Sequence, residues 1–181
     1  MSANLVHVAT SGPICVAIVI PWERRGDFHR LWTELRARED APRKGIAWKR
    51  VKKRHEAFYV SLLETLTAHR WIRVVVSKRG PAAILARILM EGPAIRLRVE
   101  DPRLAVNVPR VTTRVVDRQR APAMRVVRLL ARLLGPSDET WTPAQRRLSA
   151  EGRARWPLPA GATSRSAAES LRARPALEVH R

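Results

Sequence analysis

Cysteine is almost missing from this chain. Cys15 is the only one in 181 residues, which excludes an intramolecular disulfide and any zinc site built on cysteine, and fits a reducing compartment such as the cytoplasm. Long apolar runs are missing too. The stretch from Ile14 to Ile20 would cover only about a third of a membrane span, and no charged segment precedes it, so neither insertion nor secretion is expected. The histidines His7, His29, His55, His69 and His180 show no metal-ligand spacing. No glycine-rich loop of the nucleotide-binding kind occurs. Ser11 and Cys15 have no base close to them in sequence, which leaves nucleophilic catalysis without support.

Acidic residues are scarce: 16 Asp and Glu stand against 35 Lys and Arg, for a formal net charge of +19 and an isoelectric point near 11.8. A long polyanion is the matching partner, because each phosphate neutralised by a protein cation releases condensed counterions. Lys44, Lys49, Lys52, Lys53 and Lys78 are the only lysines. Heavy use of Arg, Ala and Pro also follows from GC-rich coding, so part of the charge carries no functional weight. The 45 % hydrophobic content suffices for one core, and the length allows one domain and a tail.

The pattern along the chain predicts a mixed α/β fold. Leu5 to Thr10 and Ile14 to Ile20 read as two strands joined at Ser11, Gly12 and Pro13. Phe28, Leu31, Trp32 and Leu35 recur at helical spacing, which predicts a helix over about 22–38. Val51, His55, Phe58, Leu62 and Leu66 predict another over about 49–69, with densely basic first turns. A strand follows at 71–77, then a short helix around Ile84, Leu85, Ile88 and Leu89. Ile95, Leu97 and Val99 alternate with Arg96 and Arg98, the period of a half-buried strand, and a second such strand is expected over 111–117. Pro122 opens a helix that Gly135-Pro136 stops. The domain is expected to span 1–136. Residues 137–181 read as a basic, irregular extension with at most a turn or two of helix near Trp141, and with disorder from about 157.

Three stretches carry a likeness to a known family. Ala9-Thr10-Ser11-Gly12 stands where that family has Asp-Glu-Ser-Gly, and Gly45-Ile46-Ala47-Trp48-Lys49 where it has Glu-Ile-Lys-Trp before a helix. Val116-Asp117-Arg118, Pro122 and Arg125-Val126-Val127-Arg128 stand where it has a strand, Asp-Ser, a Pro and Gln-x-Ala-Asp opening a helix. On these residues, over about 6–135, the chain resembles the domain of unknown function 3800 family, whose members look like RNase H-fold proteins. The resemblance implies an RNase H-like mixed sheet flanked by helices, and hydrolysis by carboxylates that hold two divalent cations about 4 Å apart. Three departures matter: Ala9 replaces the first acid, Thr10 the neighbouring glutamate and Arg128 the late aspartate. A methyl group cannot ligate a cation and a guanidinium repels one, so the expectation is a relative without catalysis, metal or cofactor. The alternative is an active magnesium- or manganese-dependent nuclease with relocated acids, Glu100, Asp101 and Asp117.

Two basic groups are the candidate nucleic-acid contacts. Arg43, Lys44, Lys49, Arg50, Lys52, Lys53 and Arg54 surround Trp48, an arrangement suited to a phosphate backbone with one stacked base. The plainer reading is a solvated helix start with Trp48 packed inward, and it is preferred for Trp48 itself. For the lysines, positive charge in a helix's first turn opposes the macrodipole and so asks for another reason. Arg125, Arg128 and Arg132 share one helical face, with Arg118 and Arg120 before them. The resemblance sets Arg128 near Ala9, turning a cation site into an anion site that arginine's planar fork fits. Trp22, Trp32 and Trp71 read as core or rim anchors, with Trp141 and Trp156 docking the tail. Whether DNA or RNA binds stays open. Two further readings are a subunit for an acidic protein partner, and an Arg-rich continuation after Pro102 with no selected role.

Overall fold

The computed structural model describes residues 3–91, 94–116 and 121–158. Asp117, Arg118 and Arg120 lie outside them. β1 (Ala3–Ser11) and β2 (Ile14–Pro21) form an antiparallel hairpin, in register from Asn4 opposite Pro21 to Ser11 opposite Ile14. Its turn needs Gly12, whose φ of 57° lies in the left-handed region that costs glycine little. After a 3-10 turn at Trp22–Arg24 come α1 (Arg25–Arg36) and α2 (Glu56–Ala68), then β3 (Arg73–Ser77) and α3 (Pro81–Met90). β4 (Ala94–Val99), β5 (Val111–Val115), α4 (Pro122–Leu134) and α5 (Pro143–Arg155) complete the described chain. The strand order is β3-β2-β1-β4-β5. β3 is antiparallel to β2, while β4 runs parallel to β1 and β5 parallel to β4. This is an RNase H-like mixed sheet flanked by helices, the fold class the sequence predicts.

β2 is buried from Ile14 to Ile20 because both faces of the sheet are covered there. On one face Ile14, Val16, Ile18 and Ile20 meet Phe28 and Trp32 of α1, Phe58 and Leu62 of α2, and the whole apolar side of α4. On the other, Val6, Val8, Ala17, Val19 and Leu97 meet Ile84, Leu85 and Ile88 of α3. The β4–β5 link contains only a 3-10 turn at Pro102–Leu104, and its Leu104 and Val106 cover the α3 side. No helix among the described residues is long and apolar enough to cross a membrane.

Two expectations change. The helix expected from about residue 49 begins only at Glu56; before it lie 3-10 turns at Trp48–Arg50 and Lys53–His55, with Val51 and Lys52 extended. Five cations between Lys49 and Arg54 would repel one another and the positive end of the helix dipole, whereas Glu56 favours it. The basic segment is therefore a loop, and the macrodipole gives its lysines no special meaning.

The segment from 137, expected to be irregular, contains a full helix. α5 starts with Pro143 behind a capping box in which the Thr142 hydroxyl accepts from the Gln145 amide while the Gln145 side chain accepts from the Thr142 amide. Ala144 and Leu148 enter the larger core. The Ser149 hydroxyl donates to the Leu133 carbonyl at 2.6 Å, and Arg147 grips Glu56 of α2 through two bonds of 2.6 and 2.7 Å. The packed unit thus runs to residue 158, past the expected boundary at 136. The sequence hid this because α5 buries Gln145, Ser149 and Gly152 besides its two apolar residues, and polar or small residues do not register as an apolar stripe. The expected disorder falls almost wholly outside the described residues. Trp32 is buried, and Trp22 and Trp71 are half-buried. Trp141 docks edge-on to Trp48 with ring centroids 4.8 Å apart, and Trp156 packs on the larger core.

Candidate functional site

A cleft of about 890 Å³ opens where three elements converge. The end of β1 and its turn bring Thr10, Ser11 and Gly12; the loop before α2 brings Lys44, Ile46, Ala47, Trp48, Lys49 and Arg50; and one face of α4 brings Arg125, Arg128, Leu129 and Arg132. Six of these side chains are cationic and none is acidic. The α4 arginines line up because spacings of three and four return to the same side of a helix, while Met124, Val126, Val127 and Leu130 hold the opposite side in the core.

The loop is held rather than loose. Arg36 of α1 donates to the carbonyls of Pro42 at 2.5 Å and Arg43 at 3.2 Å. Arg50 turns back onto its own loop, donating to the carbonyls of Lys44 and, at 2.9 Å, Gly45. From below, the buried Tyr59 hydroxyl donates to the Ala47 carbonyl at 3.3 Å, and Gln145 of α5 donates to the Trp48 carbonyl at 3.0 Å. Burial pushes the Tyr59 phenol up to about 12, so it stays a neutral donor. Gly45 has φ 85°, and a Cβ there would lie 2.8 Å from an Arg125 guanidinium nitrogen. The positive φ favours glycine here, and any side chain would have to displace the Arg125 guanidinium.

The sheet edge beside the cleft is where the resemblance implies divalent cations. The last rung of β1 against β4 pairs Val8 with Val99, so Ala9 and Glu100 are each one residue beyond it. Ala9 is buried in the larger core. The Glu100 carboxylate accepts a hydrogen bond from Arg128. Asp101 caps the 3-10 turn, accepting from the Arg103 amide at 2.9 Å and from its guanidinium at 2.8 Å, and these bonds hold its carboxyl below the usual range. Among the described residues no three His, Cys, Asp or Glu are grouped to hold a metal. The donor set does not fit a pair of cations: the described acids here are each engaged by arginine, and Arg128 opposes a positive ion directly. Nucleophilic chemistry is no better served. Burial raises the Cys15 thiol to about 12, and the imidazole of His7, buried and beside Arg98, is pushed down to about 3.

Of the basic residues singled out by sequence, Lys44, Lys49, Arg50, Arg125, Arg128 and Arg132 come together, with Trp48 among them. Arg43, Lys52, Lys53 and Arg54 are exposed and do not line the cleft. Trp48 is half-buried: it packs on Trp141 and also borders the cleft. Sequence reasoning missed Thr10, Ser11, Gly12 and Leu129 as wall residues, and the partnership of Glu100 with Arg128. The parallel register of β1 with β4 was the missing signal. No family model matches the chain, and no curated protein or solved structure matches it either.

Proposed function

We propose that this chain binds a nucleic-acid strand in the basic cleft and does not cut it, as a relative of metal-dependent RNase H-like nucleases, akin to the domain of unknown function 3800 family, that lacks their acids. The observation that carries this reading is the lining: Lys44, Lys49, Arg50, Arg125, Arg128 and Arg132, with no carboxylate among the described wall residues. Planar guanidiniums suit phosphate oxygens, Lys44 and Lys49 add point charge, and the half-buried Trp48 puts an indole at the wall beside them. The open shape and strongly polar walls favour an extended polyanion over a small apolar ligand.

Binding of labelled oligonucleotides across a salt series tests this. Five or six phosphate contacts on a single strand give a slope of log affinity against log salt of about −4, and a slope near zero would exclude multiple phosphate contacts. Incubation with magnesium or manganese should leave the oligonucleotide intact. Metal-dependent digestion by purified protein would instead favour relocated acids at Glu100, Asp101 and Asp117. A stable complex with an acidic protein after nuclease treatment would favour a protein partner.

A further inference from the structure

β4 turns Ile95, Leu97 and Val99 to the smaller core with α3. By strand alternation Arg96, Arg98 and Glu100 follow one another on the opposite face. On β5, Thr112 and Arg114 share that face, because Arg96 is in register with Thr112 and Arg98 with Arg114. Neighbouring strands lie about 4.8 Å apart, so two guanidiniums stand side by side, a like-charge pairing that costs stability. Among the described residues Arg96, Arg98 and Arg114 have no carboxylate partner. His7, in register with Arg98 on β1, is buried and its Nδ1 has no hydrogen-bond partner. Arg96 lies 3.8 Å over the Trp22 ring, with Arg25 also over that ring at 4.3 Å. Arg96, Thr112 and Arg114 are exposed on this face and Arg98 is half-buried, while the β4–β5 link covers the other face.

We propose that this arginine-bearing face of β4 and β5 is a second phosphate-binding surface, on which Arg96, Arg98 and Arg114 take up the strand that leaves the basic cleft. The two surfaces are continuous, because Glu100 ends the β4 row and its partner Arg128 lines the cleft. Phosphates supply negative charge beside Arg96, Arg98 and Arg114, and binding them relieves the repulsion between Arg98 and Arg114. Burial, then the charges of Arg114 and Arg96, hold the Arg98 guanidinium below its usual range. The inference rests on the nucleic-acid reading and adds a path beyond the cleft. A competing account is that β5, an edge strand, carries charge to stop other chains pairing with it.

The experiment uses the full chain and fluorescent oligo(dT) and oligo(U) probes of about 6 and about 20 nucleotides, which bracket common single-strand site sizes. The double variant Arg98→Ala/Arg114→Ala should bind the longer probe about tenfold more weakly, with a salt slope shallower by about 1.4, and the shorter probe as the wild type does. Arg114→Ala alone, a surface change, should give the same length-selective loss at about half that slope change, which keeps the test decisive if the double variant fails to fold. Unchanged affinity for the longer probe overturns the inference, and accompanying self-association in sedimentation assigns the arginines to edge protection. Equal losses for both lengths overturn it as well. Arg132→Ala should weaken both probes; if the wild type binds neither, the cleft reading itself fails and takes this one with it.

Discussion

Arg128 on α4 donates a hydrogen bond to the carboxylate of Glu100, one residue past the end of β4, so that a guanidinium closes the sheet edge next to the buried methyl group of Ala9. The side chains of the pair are 45 % and 33 % exposed. Ion pairs this open to water contribute about 1 kcal/mol or less, so Arg128 can exchange its carboxylate for a phosphate at small cost.

Glu100→Gln should therefore tighten oligonucleotide binding by roughly two- to fivefold, since the neutral amide competes less for Arg128 and repels phosphate less. Arg128→Glu should weaken it about tenfold or more and flatten the salt slope by about 0.7. Fluorescence anisotropy at several salt concentrations measures both, with thermal melts to show that each variant is folded. Unchanged affinity for Arg128→Glu removes α4 from the binding surface.

Gly45→Ala should destabilise the protein by about 1 kcal/mol or more, because alanine is strained at positive φ and its Cβ meets Arg125. The Arg125 guanidinium must then shift out of its place in the cleft, so oligonucleotide affinity should fall as well. A urea titration reads the first effect and the binding assay the second. A stable variant with normal affinity would show that the close approach is dispensable.

The C-terminal helix should prove integral to the fold. A Cβ on Gly152 would overlap the fully buried Leu133, which has no room to withdraw, so Gly152→Ala should cost about 1–3 kcal/mol by overpacking. Leu148→Ala should cost about 2–5 kcal/mol by leaving a cavity. Gln145→Ala removes half of the capping box and the bond to the Trp48 carbonyl, and should loosen both α5 and the cleft loop by about 1–2 kcal/mol. Urea midpoints check all three, and near-wild-type values throughout would make α5 an appendage.

Stability should fall on mild acidification because of His7. In the folded chain its imidazole stays neutral down to about 3, whereas the unfolded chain takes up the proton near 6.5. Between these values the unfolded state binds more protons, so this contribution is complete above about 6.5 and is lost as pH falls, by at most ~1.4 kcal/mol per pH unit. Asp27, Asp40 and Glu56, whose carboxyls hydrogen bonds from arginine lower, lose their contributions only further down, through the carboxylate range. Urea midpoints at about pH 7 and about pH 5 should differ more in the wild type than in His7→Leu, the slope between them being His7's share. Equal pH dependence in the two proteins would show that His7 does not titrate on unfolding.

The sequence by itself determined the class of fold, five strands and most helices, because apolar residues at periods of two and 3.6 are local signals that sterics and burial make reliable. It also determined that the protein is heavily cationic, and it set Arg125, Arg128 and Arg132 on one helical face. Tertiary structure alone decided which of the cations meet. Lys44, Lys49 and Arg50 join α4 because Gly45, Arg36 and Gln145 fold the loop toward it, whereas Lys52, Lys53 and Arg54 point elsewhere. Glu100 belongs to Arg128 because β1 and β4 run parallel in one register, and α5 belongs to the core because small and polar residues fit its neighbours. Register and close packing are relations between residues distant along the chain, and no local pattern encodes them.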